Sequence, residues 1–214
     1  MRTVFSKFSL VLFGLLAMPS FAADMPDPEQ FILDRADAIL ERIDSKREAI
    51  RADQAVANRI VEEELLPHID VDYISRLVLG KHWRSASDAE REQFVAAFKG
   101  FLLRSYAQGL AEFTRDKFKV LPLRGEANPK RTIIQLEIYR EQGAPVPVAF
   151  TLRWTGEEWL VYDVIIEGIS YVRNYRTDFN TEIEQKGLGS VIERLQGETI
   201  DAGLSDGSDS KAEG

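Results

Sequence analysis

Val146-Pro147-Val148-Ala149-Phe150-Thr151-Leu152-Arg153-Trp154, followed by Thr155-Gly156-Glu157-Glu158 and Trp159-Leu160-Val161-Tyr162-Asp163-Val164-Ile165-Ile166, is the stretch that decides the fold class. Apolar residues at 146, 148, 150, 152 and 154 alternate with Ala149, Thr151 and Arg153, the period of two expected of a strand with one buried face. The polar, glycine-bearing segment 155–158 turns the chain, so the two runs pair as antiparallel neighbours. Upstream, Phe118-Lys119-Val120-Leu121 reads as a strand, and Ile134, Leu136 and Ile138 alternate with Gln135, Glu137 and Tyr139. The result is a four-stranded antiparallel meander. Pro145 and Pro147 make the start of its third strand an edge or an irregular segment.

Outside the meander the period becomes helical. Asp27-Pro28 forms a cap and first turn for a helix over 28–51, with Ile32, Ala36, Ile39, Ile43 and Ile50 on one face. Asp53 opens a second helix through Val56, Ile60, Val61 and Leu65, stopped at Pro67. Asp70 caps a third, which buries Tyr73, Ile74, Leu77 and Val78 and ends at Gly80. Ser87-Asp88-Ala89-Glu90 is a capping box for the principal helix, 88–114, whose stripe is Phe94, Phe98, Phe101, Leu102, Tyr106, Leu110 and Phe113. Gly100 and Gly109 lie within it. Ser170 caps a helix over 171–185 closed by Gly187, and a short helix runs from Gly189 to Gln196. Helices, then strands, then helices, without strand-helix-strand alternation, make an α+β domain with helices on one side of an antiparallel sheet.

The 214 residues carry 27 Lys+Arg against 35 Asp+Glu, a charge of −8, which speaks against a face built to neutralise nucleic-acid phosphates. With 44% hydrophobic and 29% charged residues the composition suits one globular domain, taken as 23–200. The absence of cysteine removes disulfides, thiolate metal sites, cysteine nucleophiles and lipoprotein acylation. Residues 1–22 place Arg2 and Lys7 before an apolar run from Phe8 to Met18 and then Ser20-Phe21-Ala22, the pattern of a cleaved export signal. An uncleaved anchor is the alternative, although the run is far short of the roughly 20 residues that span a bilayer. Cleavage would remove two of the 27 basic residues and leave 192 residues at −10, most simply a bacterial periplasmic protein. Residues 201–214, rich in Gly, Ser and Asp, are expected to be a disordered tail.

Motifs for chemistry are sparse. His68 and His82 stand fourteen apart, and in His68-Ile69-Asp70-Val71-Asp72 the acids serve better as helix caps than as metal ligands, so no metal site is assigned. Asp163 in an apolar strand reads either as a pKa-shifted acid or base, with Tyr162 as its partner, or as a structural carboxylate meeting an arginine such as Arg153. Lys81, Arg84, Lys130, Arg131, Arg153, Arg173 and Arg176 read mainly as solvated charges. What stands out is apolar surplus, to which Tyr171, Tyr175 and Phe179 add. It fits either a closed core or an apolar pocket between a helix layer and a curved sheet.

Two blocks carry a resemblance. Leu65-Leu66-Pro67-His68-Ile69-Asp70-Val71-Asp72-Tyr73, Leu77-Val78-Leu79-Gly80-Lys81-His82-Trp83-Arg84 and the run Ser87 to Leu110 form the first. Trp159 to Val172 with Asn174-Tyr175-Arg176, Phe179 and Gly187-Leu188 forms the second. In this order they resemble the MlaC, or toluene-tolerance, family of periplasmic phospholipid-binding proteins, over nearly the whole chain except 118–147 and the tail. The tail is longer and more polar than in the family, which is not expected to alter lipid binding. The resemblance implies a nuclear-transport-factor-like α+β fold whose cavity takes acyl chains and leaves the head group at the mouth. It also implies shuttling between an outer-membrane lipoprotein-porin complex and an inner-membrane ABC transporter bearing a lipid-binding hexamer. Phospholipid is then cargo, with no cofactor and no catalysis. Periodicity and resemblance together assign as lipid-binding Val78, Phe98, Phe101, Leu102, Tyr106, Leu110, Ile134, Leu136, Ile138, Val148, Phe150, Leu152, Tyr162, Val164, Ile166, Tyr171 and Tyr175. The alternatives are a carrier of another lipid such as a hopanoid, a small enzyme on the same fold, and an interaction module with a solid core.

Overall fold

A computed structural model describes residues 25–197 apart from 109 and 141, so the expected export signal, the polar tail and Gly109 lie outside the described residues. Helices begin where the sequence supplies a cap. The Asp27 carboxylate accepts the Glu29 N–H at 2.8 Å ahead of α1 (Pro28–Ala52). Asp53 accepts the Ala55 N–H at 2.9 Å to start α2 (Gln54–Ile60), which widens into a π-helical turn over Val61–Leu65 and tightens into a 3₁₀ turn at Leu66–His68. Asp70 opens α3 (Val71–Leu79) by accepting the Tyr73 N–H at 3.1 Å. Gly80 ends it at φ +53°, where a Cβ would lie 3.0 Å from Arg176 Nε. A further short helix, α4 (Lys81–Ser85), follows directly.

The capping box forms as the sequence predicts, with Ser87 N–H donating to Glu90 at 2.8 Å and Glu90 N–H to Ser87 Oγ at 3.3 Å. It opens α5 (Asp88–Ala107). The helix expected to reach 114 stops seven residues early: Gln108 is extended at ψ 135°, and a 3₁₀ turn at Leu110–Glu112 takes over. Tertiary bonding secures the path that follows. The Arg47 guanidinium of α1 donates to the carbonyls of Ala111 and Phe113, the latter at 2.8 Å, and holds this connector in a non-helical path.

The sheet comprises β1 (Phe118–Val120), β2 (Thr132–Ile138), β3 (Val146–Trp154), β4 (Trp159–Ile166) and β5 (Ile169–Ser170), antiparallel and in sequential order. Phe150 stands between Ile134 on one side and Val164 on the other. The fifth strand, added to the expected four, follows a two-residue turn in which Glu167 (φ +50°) and Gly168 (φ +84°) both take the left-handed region, as a tight hairpin requires. The chain then enters α6 (Tyr171–Lys186) and α7 (Leu188–Gly197).

A bulge interrupts β4. Thr151 faces Asp163 while Leu152 faces Val161, which leaves Tyr162 as the extra residue. Strict alternation would put Val161 on the face opposite Val164 and Ile166. With the bulge, all three share the face of Val148, Phe150 and Leu152. Ile69 pairs alongside Val161, and the Asp70 N–H donates to the Val161 carbonyl at 2.9 Å, so the bulged edge is covered. The largest buried cluster, including Phe94, Phe98, Phe101, Phe179 and Leu195, lies among the helices. Two smaller ones, around Ile134, Leu152 and Trp159 and around Leu136, Val146 and Val148, lie on the sheet.

Candidate functional site

Between the sheet and the helices lies a cavity of about 650 Å³. α1 forms its roof through Ile32, Ala36, Ile39, Leu40 and Ile43. That helix is tied down at its ends and flanks. Trp159 Nε1 donates to the Pro26 carbonyl at 2.7 Å, Leu123 N–H donates to Glu29 at 2.9 Å, Arg115 pairs with Asp37, and Arg47 holds the connector after α5. These polar attachments fix α1 across the sheet while its apolar stripe faces the cavity. A stripe that sequence periodicity assigns to a core is thus partly a cavity wall.

Twelve of the residues assigned from sequence line this space: Phe98, Leu102 and Tyr106 from α5, Leu110 from the connector, Leu136 and Ile138 from β2, Val148 and Phe150 from β3, Val164 and Ile166 from β4, and Tyr171 and Tyr175 from α6. Five others do not. Val78 is 1% exposed within the helical core. Phe101 is fully buried, with its ring 6.1 Å from Phe98 and 5.8 Å from Tyr175. Ile134 and Leu152 pack with Ile32 and Trp159 in the core at one end of the sheet. Tyr162, displaced by the bulge, meets Tyr73 edge-on at 5.3 Å. The α1 stripe, Ile69, Ile74 and Val161 line the cavity and were not assigned from sequence. The periodicity of α1 was legible, but nothing in it distinguishes a wall from a core.

Among the polar groups in the walls, Asp163 is committed to the fold. Asp163 Oδ2 accepts the Ser170 hydroxyl at 2.6 Å and Oδ1 accepts the Val172 N–H at 3.1 Å, so this carboxylate secures the N-terminus of α6. The expected pairing of Asp163 with Arg153 is not formed. Arg153 instead pairs with buried Asp70, and its guanidinium lies 4.6 Å over the Tyr73 ring. Burial pushes the Tyr106 phenol up to about 12, with Tyr171 and Asp163 adding to the effect. His68 sits in the wall, edge-on to Phe31 at 5.7 Å, with Nδ1 buried and without a hydrogen-bond partner. Burial first, and then the nearby Arg35, lower its pKa below the ordinary 6.5, against smaller opposing effects of Glu158 and Glu64. Among the described residues no helix is long and apolar enough to cross a membrane. The arrangement can take up an apolar molecule, and its size falls within the roughly 300–1,000 Å³ of small-molecule pockets.

Comparisons with known proteins agree with this geometry. The chain is 23% identical over 195 residues to the intermembrane phospholipid transport system binding protein MlaC of Haemophilus influenzae, spanning 88% of this chain and 91% of that one. It is 25% identical over 205 residues to the toluene tolerance protein ttg2D of Pseudomonas putida, spanning 94% of each. A phospholipid-binding protein from Ralstonia solanacearum, solved in complex with a phospholipid, shares the fold with a TM-score of 0.72 at 22% identity, over 79% of this chain and 95% of that one. The family described as MlaC protein matches residues 34–197, which include α1 from its second turn, the whole sheet and both C-terminal helices; the chain belongs to the MlaC family.

Proposed function

We propose that this chain is a periplasmic phospholipid carrier, exported through a cleaved signal at 1–22, that shields acyl chains in the cavity between α1, α5 and the sheet. The apolar cavity carries this reading. Its proposed acyl-chain contacts are the twelve assigned residues that line it, together with the α1 stripe and Val161. The partners proposed from the resemblance are an outer-membrane lipoprotein-porin complex and an inner-membrane ABC transporter with a lipid-binding hexamer. No cofactor or catalytic step enters this reading, and commitment of both Asp163 oxygens to Ser170 and Val172 weighs against the acid-base alternative.

Physical chemistry explains the need for such a carrier. Two acyl chains of about fifteen methylenes each would cost on the order of 24 kcal/mol to expose to water, at about 0.8 kcal/mol per CH₂. Transfer from a membrane into a dry cavity exchanges one apolar surrounding for another and avoids most of that cost. Direction then comes from partner affinities or from an ATPase elsewhere.

Native mass spectrometry of the mature protein, purified without added lipid, tests the reading. A mass excess of one phospholipid, identified after solvent extraction, is expected. A bare mass that persists after incubation with phospholipid vesicles refutes the carrier, and an extracted hopanoid redirects it to another cargo.

A further inference from the structure

We infer that Lys117 and Arg140 hold the head-group phosphate of the cargo and give the cavity a preference for phospholipids of net negative head-group charge. This rests on the carrier reading above. Lys117 immediately precedes β1 and Arg140 follows β2 by two residues, and the Tyr139 N–H donates to the Lys117 carbonyl at 2.7 Å. The two cations therefore come from the paired ends of neighbouring strands, and both residues are among those that line the cavity.

Neither makes an ion pair among the described residues, whereas several neighbouring charges have partners of their own. Glu112, also on the cavity wall, lies 3.6 Å from Arg51. Arg115 pairs with Asp37, Glu137 accepts the Tyr139 hydroxyl at 2.9 Å, and Asp116, the sequence neighbour of Lys117, is hydrogen-bonded by Thr114 and more weakly attracted by Lys117. The lining as a whole holds three cations, Arg35, Lys117 and Arg140, against the carboxylates of Glu112 and Asp163, on a chain whose formal charge is −8. From that end of the strands the cavity wall continues over Ile138, Leu136, Val148 and Phe150, which are apolar.

An amphipathic ligand whose charged end sits against Lys117 and Arg140 therefore lays its chains on carbon. Arginine offers a planar fork for phosphate oxygens and lysine a mobile point charge, so together they suit a phosphate whose approach angle varies with the lipid. A zwitterionic head group brings a cation to the same two residues and forfeits part of the attraction. Two partly exposed charge contacts of this kind correspond to a preference of about fivefold.

The test is competitive loading of the delipidated mature protein from vesicles holding equal amounts of phosphatidylglycerol and phosphatidylethanolamine, with the bound lipids quantified by mass spectrometry. Wild-type protein is expected to enrich phosphatidylglycerol about fivefold at low salt. Lys117→Glu/Arg140→Glu should bring that ratio to parity or below. Arg59→Glu/Lys186→Glu makes the same change of net charge away from the cavity and should keep the wild-type ratio. Circular dichroism establishes that each variant is folded. Equal loading of both lipids by wild type, or loss of preference in both double variants alike, overturns the inference and leaves the carrier reading standing. Failure of wild type to load either lipid overturns both.

Discussion

The Asp163 carboxylate and the Ser170 hydroxyl, 2.6 Å apart, join the bulge of β4 to the first turn of α6. The same hydroxyl accepts the Arg173 N–H at 3.2 Å, and Asp163 also accepts the Val172 N–H, so two side chains satisfy two otherwise unpaired donors of the helix. This is how a carboxylate is accommodated in an otherwise apolar strand, and it positions Tyr171 and Tyr175 on the cavity wall.

Replacing Asp163 by alanine should therefore lower stability by about 1–3 kcal/mol, the scale of a lost cap with a donor left unsatisfied. Asp163→Asn, which keeps one acceptor oxygen, should lose less. Urea unfolding followed by circular dichroism measures both. An unchanged midpoint in Asp163→Ala would show that the capping network contributes nothing.

Phe150 and Leu152 share a face of β3 but have different surroundings: Phe150 lines the cavity, whereas Leu152 is fully buried against Ile32, Ile134 and Trp159. Phe150→Asp should give folded protein that purifies without lipid, because the charge remains in the binding space. Leu152→Asp should instead destabilise the fold, by upward of about 3 kcal/mol. The pair of melting curves and extracted-lipid amounts separates the roles. Full lipid content in folded Phe150→Asp would remove β3 from the binding surface.

The surroundings of His68 favour its neutral form, and the sign of its pH effect follows. Its folded-state pKa lies below the ordinary 6.5, so as pH falls through 6.5 the unfolded chain takes up the proton first. Stability associated with neutral His68 is complete above that range and is lost as pH falls toward the depressed folded value. His68→Gln should flatten this acid-side decline in unfolding free energy between pH 7 and pH 5. Parallel pH profiles for the two proteins would contradict the assignment.

Asp70 performs two tasks at once, capping α3 through Tyr73 N–H and pairing with Arg153. Asp70→Ala should cost about 2–4 kcal/mol, more than a lost cap alone, because it also strands Arg153 in a partly buried position. Arg153→Ala combined with Asp70→Ala should show coupling of about 1 kcal/mol or more in a double-mutant cycle. Additive losses would mean that the two groups act independently.

Much of this protein was legible in sequence because it depends on near neighbours. Asp27, Asp53, Asp70, Ser87 and Ser170 each cap a helix because a short polar side chain reaches a backbone N–H two or three residues ahead. Alternation in 132–138 and 146–154 set strand type, and the glycine-bearing turns set their antiparallel pairing. Four features needed the three-dimensional chain. Arg47, more than sixty residues away in sequence, binds the carbonyls of Ala111 and Phe113 in the connector that replaces the last turns of α5. Asp70, rather than Asp163, takes Arg153. The bulge at Tyr162 exchanges faces along β4, a slip by one residue that leaves composition and periodicity almost unaltered. Finally, whether Ile39 or Val148 touches protein or open space is settled by how far α1 stands from the sheet, and that spacing is set by long-range contacts from Pro26, Glu29 and Asp37. Local hydrogen bonding and hydrophobic period are encoded over a few residues, whereas an enclosed volume is a property of distances between elements far apart in the chain.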